Sequence, residues 1–382
     1  MSELSYMEKL LDGVEVEWTP IGDVTLIKTG QAVSKQSISS NPGQYPVINS
    51  GRDPLGFIDK WNTKNDPIGI TTRGAGVGSI TWQEGKYFRG NLNYSVTIKD
   101  SAKLDVRYLY HLLCQIQPAI HSLCTFDGIP ALNAGRLKSL EIPIPPLNIQ
   151  AEIVRILDTF TELTAELIAE LTARQQQYEY YRDQLLTFND NEIELKTLNE
   201  VCSSISAGGD LPESFVKGQT NPTDEFPYPI YANATGDKGL YGFTDEYKVK
   251  SDAVTIAARG AKVGYHTIRE GKFTPIVRLI TLVPNKSIIL TRYLNYILDM
   301  TPIAGTKGGI PQLTVPTVKK ISIPVPSLAQ QERIVSILDK FDALTTSLTE
   351  GLPREIELRQ QQYEYYRDLL LSFPKPEVLE HD

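Results

Sequence analysis

The sequence predicts an α+β protein made by tandem duplication of a mixed domain followed by a long helix. Three observations predict it. RQQQYEYYRDQLLTF, from Arg174, recurs as RQQQYEYYRDLLLSF from Arg359, and IPIPPLNIQAEIVRILDTF, from Ile142, recurs as IPVPSLAQQERIVSILDKF from Ile323. Shorter motifs recur upstream in the same order: RGAGVG and RGAKVG (Arg73, Arg259), RYLYHLL and RYLNYIL (Arg107, Arg292), GIPALN and GIPQLT (Gly128, Gly309). A motif order that repeats is the mark of a duplicated unit. It divides the chain into a first domain over 1–146, a central helical spacer over 147–190, a second domain over 191–326, a distal helical spacer over 327–374 and a tail over 375–382.

Within each domain the β-branched and aromatic runs YPVIN, GITT, GSITW and YSVTI read as short strands, QEGK as a turn, and RYLYHLL as a helix. After the proline-rich linkers, Ile153, Ile156, Phe160, Leu163 and Leu167 step by three and four, as do Ile334, Ile337, Phe341, Leu344 and Leu348. That is coiled-coil spacing. Ser327 with Gln330 reads as a capping box at the start of the second helix, and Pro146 occupies the matching place in the first. Between ILD and RQQQ the second copy holds four more residues, with Gly351 and Pro353 placed to kink or interrupt it. The opening YMEKLLDGVEVEW echoes the end of the repeated helix, which suggests a circular arrangement with the amino-terminal helix packed near the carboxyl-terminal one.

A chain of 382 residues suits two domains with connecting elements. No run of eighteen or more apolar residues occurs and the amino terminus lacks the pattern of a signal peptide, so a cytoplasmic protein with no membrane partner is expected. Cys114, Cys124 and Cys202 are odd in number and form no CxxC pair, which favours reduced thiols. The net charge of -8 lies outside the domains, which net 0 and +2: the central helical segment nets -5, and the distal helical segment together with the tail nets another -5. Acidity alone therefore does not exclude phosphate binding by a local cluster on a domain.

Two catalytic patterns compete with a binding role. Asp59 with Glu84-Gly85-Lys86, repeated as Asp245 with Glu270-Gly271-Lys272, has the groups a Mg²⁺-dependent nuclease would use, or marks a hairpin tip in each copy. His111, Cys114, His121 and Cys124 have zinc-like chemistry or are helix packing, and the second copy lacks all four. Neither a P-loop nor a helicase signature is present.

The binding reading rests on the arginine turns. Glycines in RGAGVG and RGAKVG let the backbone approach a partner, and Arg73 or Arg259 can fork onto guanine or phosphate. The candidate DNA-contacting residues are Thr72, Arg73, Gln83, Lys86, Arg89 and Tyr94 in the first domain, with Asn233, Lys238, Arg259, Lys262, His266, Lys272 and Arg278 in the second. Where the copies differ, base reading is expected, because two domains reading different sequences must differ there.

The duplicated domain-helix unit, the IPIPPL linker running into QxEIVxILD, and the QQQYEYYRDxLL helix end resemble specificity subunits of type I restriction-modification enzymes along the whole chain. The resemblance implies a non-catalytic subunit whose two target-recognition domains each read half of a bipartite site in double-stranded DNA. It implies that the two helices pair as an antiparallel coiled coil with pseudo-two-fold symmetry, set the gap and dock two modification subunits, and that restriction subunits are separate. S-adenosylmethionine, ATP and Mg²⁺ would belong to those partners, with no cofactor in this chain. Tyr178, Tyr180 and Tyr181, with Tyr363, Tyr365 and Tyr366, carry more aromatic surface than one helix seam can bury, and are the expected partner-binding residues.

Overall fold

The computed structural model describes residues 10–11, 13–51, 53–189, 193–233, 239–305, 310–347 and 350–374. They form two compact units, one drawn from 1–168 with 355–382 and the other from 169–354. Each unit holds one mixed domain, the start of the helix that follows it, and the end of the helix from the other repeat.

In the first unit β1 (Glu17–Pro20) pairs antiparallel with β12 (Glu141–Ile144), bringing the two ends of the domain together. After the short α1 (Ile21–Val24), an antiparallel sheet is ordered β2 (Thr25–Thr29), β9 (Asn93–Ile98), β6 (Ile68–Thr71), β7 (Ile80–Trp82). All four residues of β6 are buried. The helix α3 (Val106–Gln115) contributes Tyr108, Leu109, Leu112 and Leu113 to the core that holds Ile68, Ile70 and Val96 of the sheet. It starts where Asp105 accepts the N–H groups of Arg107 and Tyr108, both at 2.8 Å, satisfying donors that a helix start otherwise orphans. A second sheet, β4 (Phe57–Ile58), β3 (Pro42–Ile48), β8 (Lys86–Arg89), β5 (Thr63–Lys64), contains the parallel β3/β8 pair. It has its own core of Val47, Ile58 and Phe88 with Ile38 from α2 (Lys35–Ser40). Then follow α4 (Gln117–Ser122), the β10 (Cys124–Thr125)/β11 (Ala131–Leu132) hairpin and α5 (Ala134–Lys138).

The helix α6 (Leu147–Leu186) runs unbroken for 40 residues. The second unit opens with β13 (Leu195–Thr197) and α7 (Leu198–Val201). Its antiparallel sheet is ordered β14 (Cys202–Ala207), β21 (Leu279–Pro284), β18 (Ala253–Ala257), β19 (His266–Arg269). Its other sheet is ordered β15 (Phe215–Lys217), β17 (Leu240–Thr244), β16 (Tyr228–Tyr231), β20 (Thr274–Pro275), with β16/β20 parallel as in the first unit. The chain then passes through α8 (Thr291–Asp299) and α9 (Val315–Lys319), and β22 (Ser322–Pro324) pairs with β13. The second helical segment is two helices, α10 (Leu328–Thr346) and α11 (Leu352–Leu371), interrupted at Gly351, whose φ of 83° a side chain resists. The Ser327 and Gln330 capping box is formed.

The duplication extends to buried polar bonds. Gln150 accepts from the Asp105 N–H at 2.8 Å and donates to the Lys103 and Pro145 carbonyls; Gln331 accepts from the Leu290 N–H at 2.9 Å and donates to the Ile288 and Pro326 carbonyls. Tyr108 and Tyr293 donate to the carbonyls of Pro143 and Pro324, each at 3.0 Å. These bonds fix each helix start to its own domain. The early part of α6 packs with α11, where Phe160 stacks on Tyr366 at 5.1 Å, and the late part packs with α10, where Tyr181 stacks on Phe341 at 5.6 Å. Early with last and late with first is the order of an antiparallel pair. The heptad pattern describes this only in part, since Ile153 belongs to the domain core with Ile149 and Leu157, while Leu163 is exposed and Leu348 lies outside the described residues. Leu10 and Leu11 pack on the core that holds Leu370 and Leu371, and the Trp18 indole donates to the Pro374 carbonyl, as the circular arrangement requires.

Candidate nucleic-acid interface

The arginine turn follows β6 in the first unit and β18 in the second. Gly74 and Gly260 both have φ of 95°, a left-handed conformation that lets the chain double back. In the first unit the Gly74 N–H donates to the Pro130 carbonyl at 3.0 Å, the Leu132 N–H to Thr72 at 2.8 Å, and the Thr72 N–H to Leu92 at 2.9 Å. In the second, Gly260 donates to Pro311 at 3.1 Å, Leu313 to Ala258 at 2.8 Å, and Ala258 to Arg278 at 2.9 Å. Three segments therefore meet on one frame: the arginine turn, the Ile-Pro segment, and the residue entering β9 or β21. Arg73 is exposed and Arg259 half-buried.

On that frame the copies differ at Leu92 against Arg278 and at Ala131 against Gln312. Arg278 is exposed at φ 68°, a conformation uncommon for any residue but glycine, and its carbonyl is held by Ala258. Arg259, Arg278, Gln312 and Thr314 line a cavity of about 320 Å³. Its lining brings the Arg278 guanidinium and the Gln312 amide, groups able to read guanine and adenine edges, beside Arg259. Gln312 escaped the sequence reading because only the fold sets it beside the turn, through its bridge to Arg259. Lys262 is exposed within the same turn. Asn233 braces it, accepting from the Ala258 N–H at 2.8 Å and donating to the Arg259 carbonyl at 2.8 Å. Its amide is committed to positioning the arginine.

Several candidates are corrected by the structure. Arg89 is 3% exposed, paired with Asp66 at 3.6 Å, and donates to Tyr87, to Asn93 and to the carbonyls of Asp66, Ile68 and Tyr94. It ties the two sheets together from inside. Thr72 is buried in the frame, and the Tyr94 hydroxyl donates to the Leu132 carbonyl at 3.3 Å. His266 lies against the Gly264 and Asn295 carbonyls and 3.1 Å from Asp299. Burial works against its charge, but Asp299 and the two carbonyls outweigh it and raise its pKa. These side chains serve packing. Lys238 lies outside the described residues.

Gln83 and Lys86 are separated from Arg73 by the length of a strand. The turn joining β7 to β8 sits beside Pro67, at the start of β6, whereas Arg73 follows its end, roughly 15–20 Å away. Lys272 is placed likewise, past the β19 end that pairs with Ala253, opposite to Arg259. Each lysine lies over an aromatic ring, Lys86 over Trp61 at 5.0 Å and Lys272 over Tyr247 at 4.7 Å. Gly85 and Gly271 have φ of 73° and 68°, and Glu84 accepts the Trp82 indole N–H; because β7 and β8, like β19 and β20, belong to different sheets, Glu-Gly is the turn that carries the chain from one sheet to the other and not a hairpin tip. Among the described residues no group of three or more His, Cys, Asp or Glu could hold a metal ion. Of the zinc-like set, His111 bonds Asp158, His121 packs on Phe126, and the Cys124 thiol reaches the Ile120 carbonyl.

The model of the type I restriction modification DNA specificity domain matches residues 14–174 and again 190–358. The chain belongs to that family. The specificity family also supplies the relatives: the type I restriction enzyme EcoR124I/EcoR124II specificity subunit of Escherichia coli is 35% identical, over 99% of this chain and 100% of its own. A putative type I restriction enzyme specificity subunit of Haemophilus influenzae is 33% identical, over 97% and 98%. The crystal structure of a type I restriction-modification S subunit from M. genitalium shares the fold, with a TM-score of 0.66, 20% identity, and coverage of 97% and 100%.

In this specificity-family chain the six tyrosines occupy three environments, the same in each copy. Tyr178 and Tyr363 are half-buried, and burial pushes both hydroxyls up to about 12. Tyr363 bonds His111 at 3.1 Å, so this pair is structural and is withdrawn from the partner surface. Tyr181 and Tyr366 stack on Phe341 and Phe160. Tyr180 and Tyr365 point outward, 62% and 65% exposed.

Proposed function

We propose that this specificity subunit reads a bipartite site in double-stranded DNA, one half with each arginine-turn frame, as the recognition member of a complex whose other subunits do the chemistry. The observation that carries it is the frame itself: the same backbone bonds recur in both units while the side chains on them change from Leu92 and Ala131 to Arg278 and Gln312. A constant scaffold with variable donors is what two readers of different sequences need. Arg73 and Arg259, common to both, take phosphate; the variable positions take base edges.

The near-neutral domains face DNA, and the acidic helices face protein. Two modification subunits dock there, using Tyr180 and Tyr365, and restriction subunits join them. S-adenosylmethionine, ATP and Mg²⁺ serve those partners. Among the described residues no helix is long and apolar enough to cross a membrane. The proposed place of action is the cytoplasm.

The test is to map methylated bases in DNA from cells expressing the full chain with its modification subunits. A split motif with an unspecified gap of roughly five to eight base pairs is expected from half-site centres about one duplex turn apart. A continuous palindrome would overturn the reading.

A further inference from the structure

Ile129 and Ile310 occupy the same place on the two frames and are 68% and 60% exposed. Each precedes a proline, which confines it to extended backbone, and that proline's carbonyl is the one that receives the Gly74 or Gly260 N–H of the arginine turn. The frame thus presents a stiff, β-branched, apolar tip one residue from the segment that holds the arginine.

We propose that Ile129 and Ile310 are apolar wedges that press on a base step of duplex DNA beside Arg73 and Arg259, one in each half-site. The inference rests on the DNA-reading proposal above and adds a contact of another kind. The two domains keep isoleucine at this position while changing Leu92 to Arg278 and Ala131 to Gln312. A residue kept constant between readers of different sequences does not discriminate between bases. It serves a contact every sequence offers, and for an exposed aliphatic side chain that is the stacked face or edge of a base step, which apolar side chains enter beside arginines held at the backbone. A tip already fixed by proline and backbone bonding loses little freedom on binding. The division of labour is then arginine for phosphate, isoleucine for step geometry, and the variable pair for sequence.

The experiment uses the full chain assembled with its modification subunits, and a duplex carrying the mapped motif with 2-aminopurine placed in turn at each step of both half-sites. The unsubstituted protein should raise fluorescence at one step per half-site. Ile129→Ala should abolish that signal in one half only and weaken binding about tenfold, the loss expected when part of an isoleucine's buried area is removed. Ile310→Ala should do the same in the other half, Ile129→Leu should retain both signals, and the methylated motif should be unchanged. Unchanged affinity and fluorescence in the alanine variants would overturn the proposal, as would an altered motif or a duplex that never unstacks. Weakened assembly with the modification subunits, at unchanged DNA affinity, would assign the tips to a protein contact instead. If the unsubstituted complex binds no duplex, the DNA-reading proposal falls as well; if it binds and the variants bind equally, only the wedge is lost.

Discussion

His111 lies with Nε2 2.7 Å from the Asp158 carboxylate, and in the second repeat Tyr296 donates to Asp339 over the same 2.7 Å. Arg107 and Arg292 share these carboxylates, at 2.8 and 2.7 Å. The duplication has kept the bond and exchanged a titrating donor for a non-titrating one. Despite the nearby carboxylate, His111 has a lowered pKa, because burial and then Arg107 outweigh what Asp158 contributes. The neutral ring donates to Asp158 and accepts from Tyr363. A base with a depressed folded pKa contributes stability that is whole above its unfolded value, about 6.5, and is lost as the pH falls through the folded value. Hydrogen exchange between pH 5 and 8 should show the first unit loosening with acid. His111→Tyr, which copies the second repeat, should flatten that slope; an unchanged slope would place the titrating group elsewhere.

Arg89→Met should destabilise the first unit by about 3 kcal/mol or more, the usual cost of leaving a buried ion-pair partner and several carbonyls unsatisfied. Chemical denaturation of the full chain measures it. The methylated motif of whatever protein remains folded should be the same, since Arg89 is closed off from solvent.

The duplication, and with it the domain-helix alternation, was legible because whole motifs repeat in order, and the break near Gly351 was legible because glycine and proline act locally. Arg89 and Arg73 look alike in sequence: each is an arginine followed by glycine near a short strand. Only long-range pairing, of β8 with β3 and of Arg89 with Asp66, decides that one is interior. Likewise Arg73 and Lys86 are near neighbours along the chain, and the antiparallel β6/β7 pairing places them at opposite ends of a strand. Gln312 was invisible for the converse reason, being more than fifty residues from the arginine it pairs with. Local chemistry is read from spacing; a surface assembled from three distant segments is not.

Arg278→Ala and Gln312→Ala should relax recognition at single base pairs of the half-site read by the second unit, each by about 1–3 kcal/mol, with the other half-site untouched. Arg73→Ala and Arg259→Ala should instead weaken binding to all sequences and reduce the salt slope by about one. Competition binding on degenerate duplexes at several salt concentrations separates the two classes. Uniform weakening by Arg278→Ala would make it a phosphate contact.

Tyr180→Ala with Tyr365→Ala should weaken assembly with the modification subunits while the isolated chain melts within about 0.5 kcal/mol of the unsubstituted protein, as exposed substitutions do. Phe160→Ala should do the reverse, loosening the helix pair by removing the ring that stacks on Tyr366. Native mass spectrometry of the mixed subunits and thermal unfolding of the chain alone distinguish them, and unimpaired assembly by the double tyrosine variant would reject these two rings as a docking surface.

The length of α6 sets the last prediction. Forty unbroken helical residues extend about 60 Å, nearly twice the roughly 34 Å of a duplex turn. The stretch around Leu171 carries little buried apolar surface, with Leu163 and Ile168 both exposed, so added residues there displace few packed contacts. The second repeat already carries four more residues in the matching interval and absorbs them at the break between α10 and α11. Inserting four residues after Leu171 adds about one helical turn, roughly 6 Å, equivalent to one or two base pairs at about 3.4 Å each. If the helices set the spacing, the gap in the methylated motif grows by one or two base pairs and both half-sites stay as they were, because the two frames are untouched. Mapping the methylated bases in cells carrying the insertion decides it. Retained methylation with the original gap would show that spacing is fixed elsewhere, and a change within either half-site would show that base reading extends beyond the arginine-turn frames.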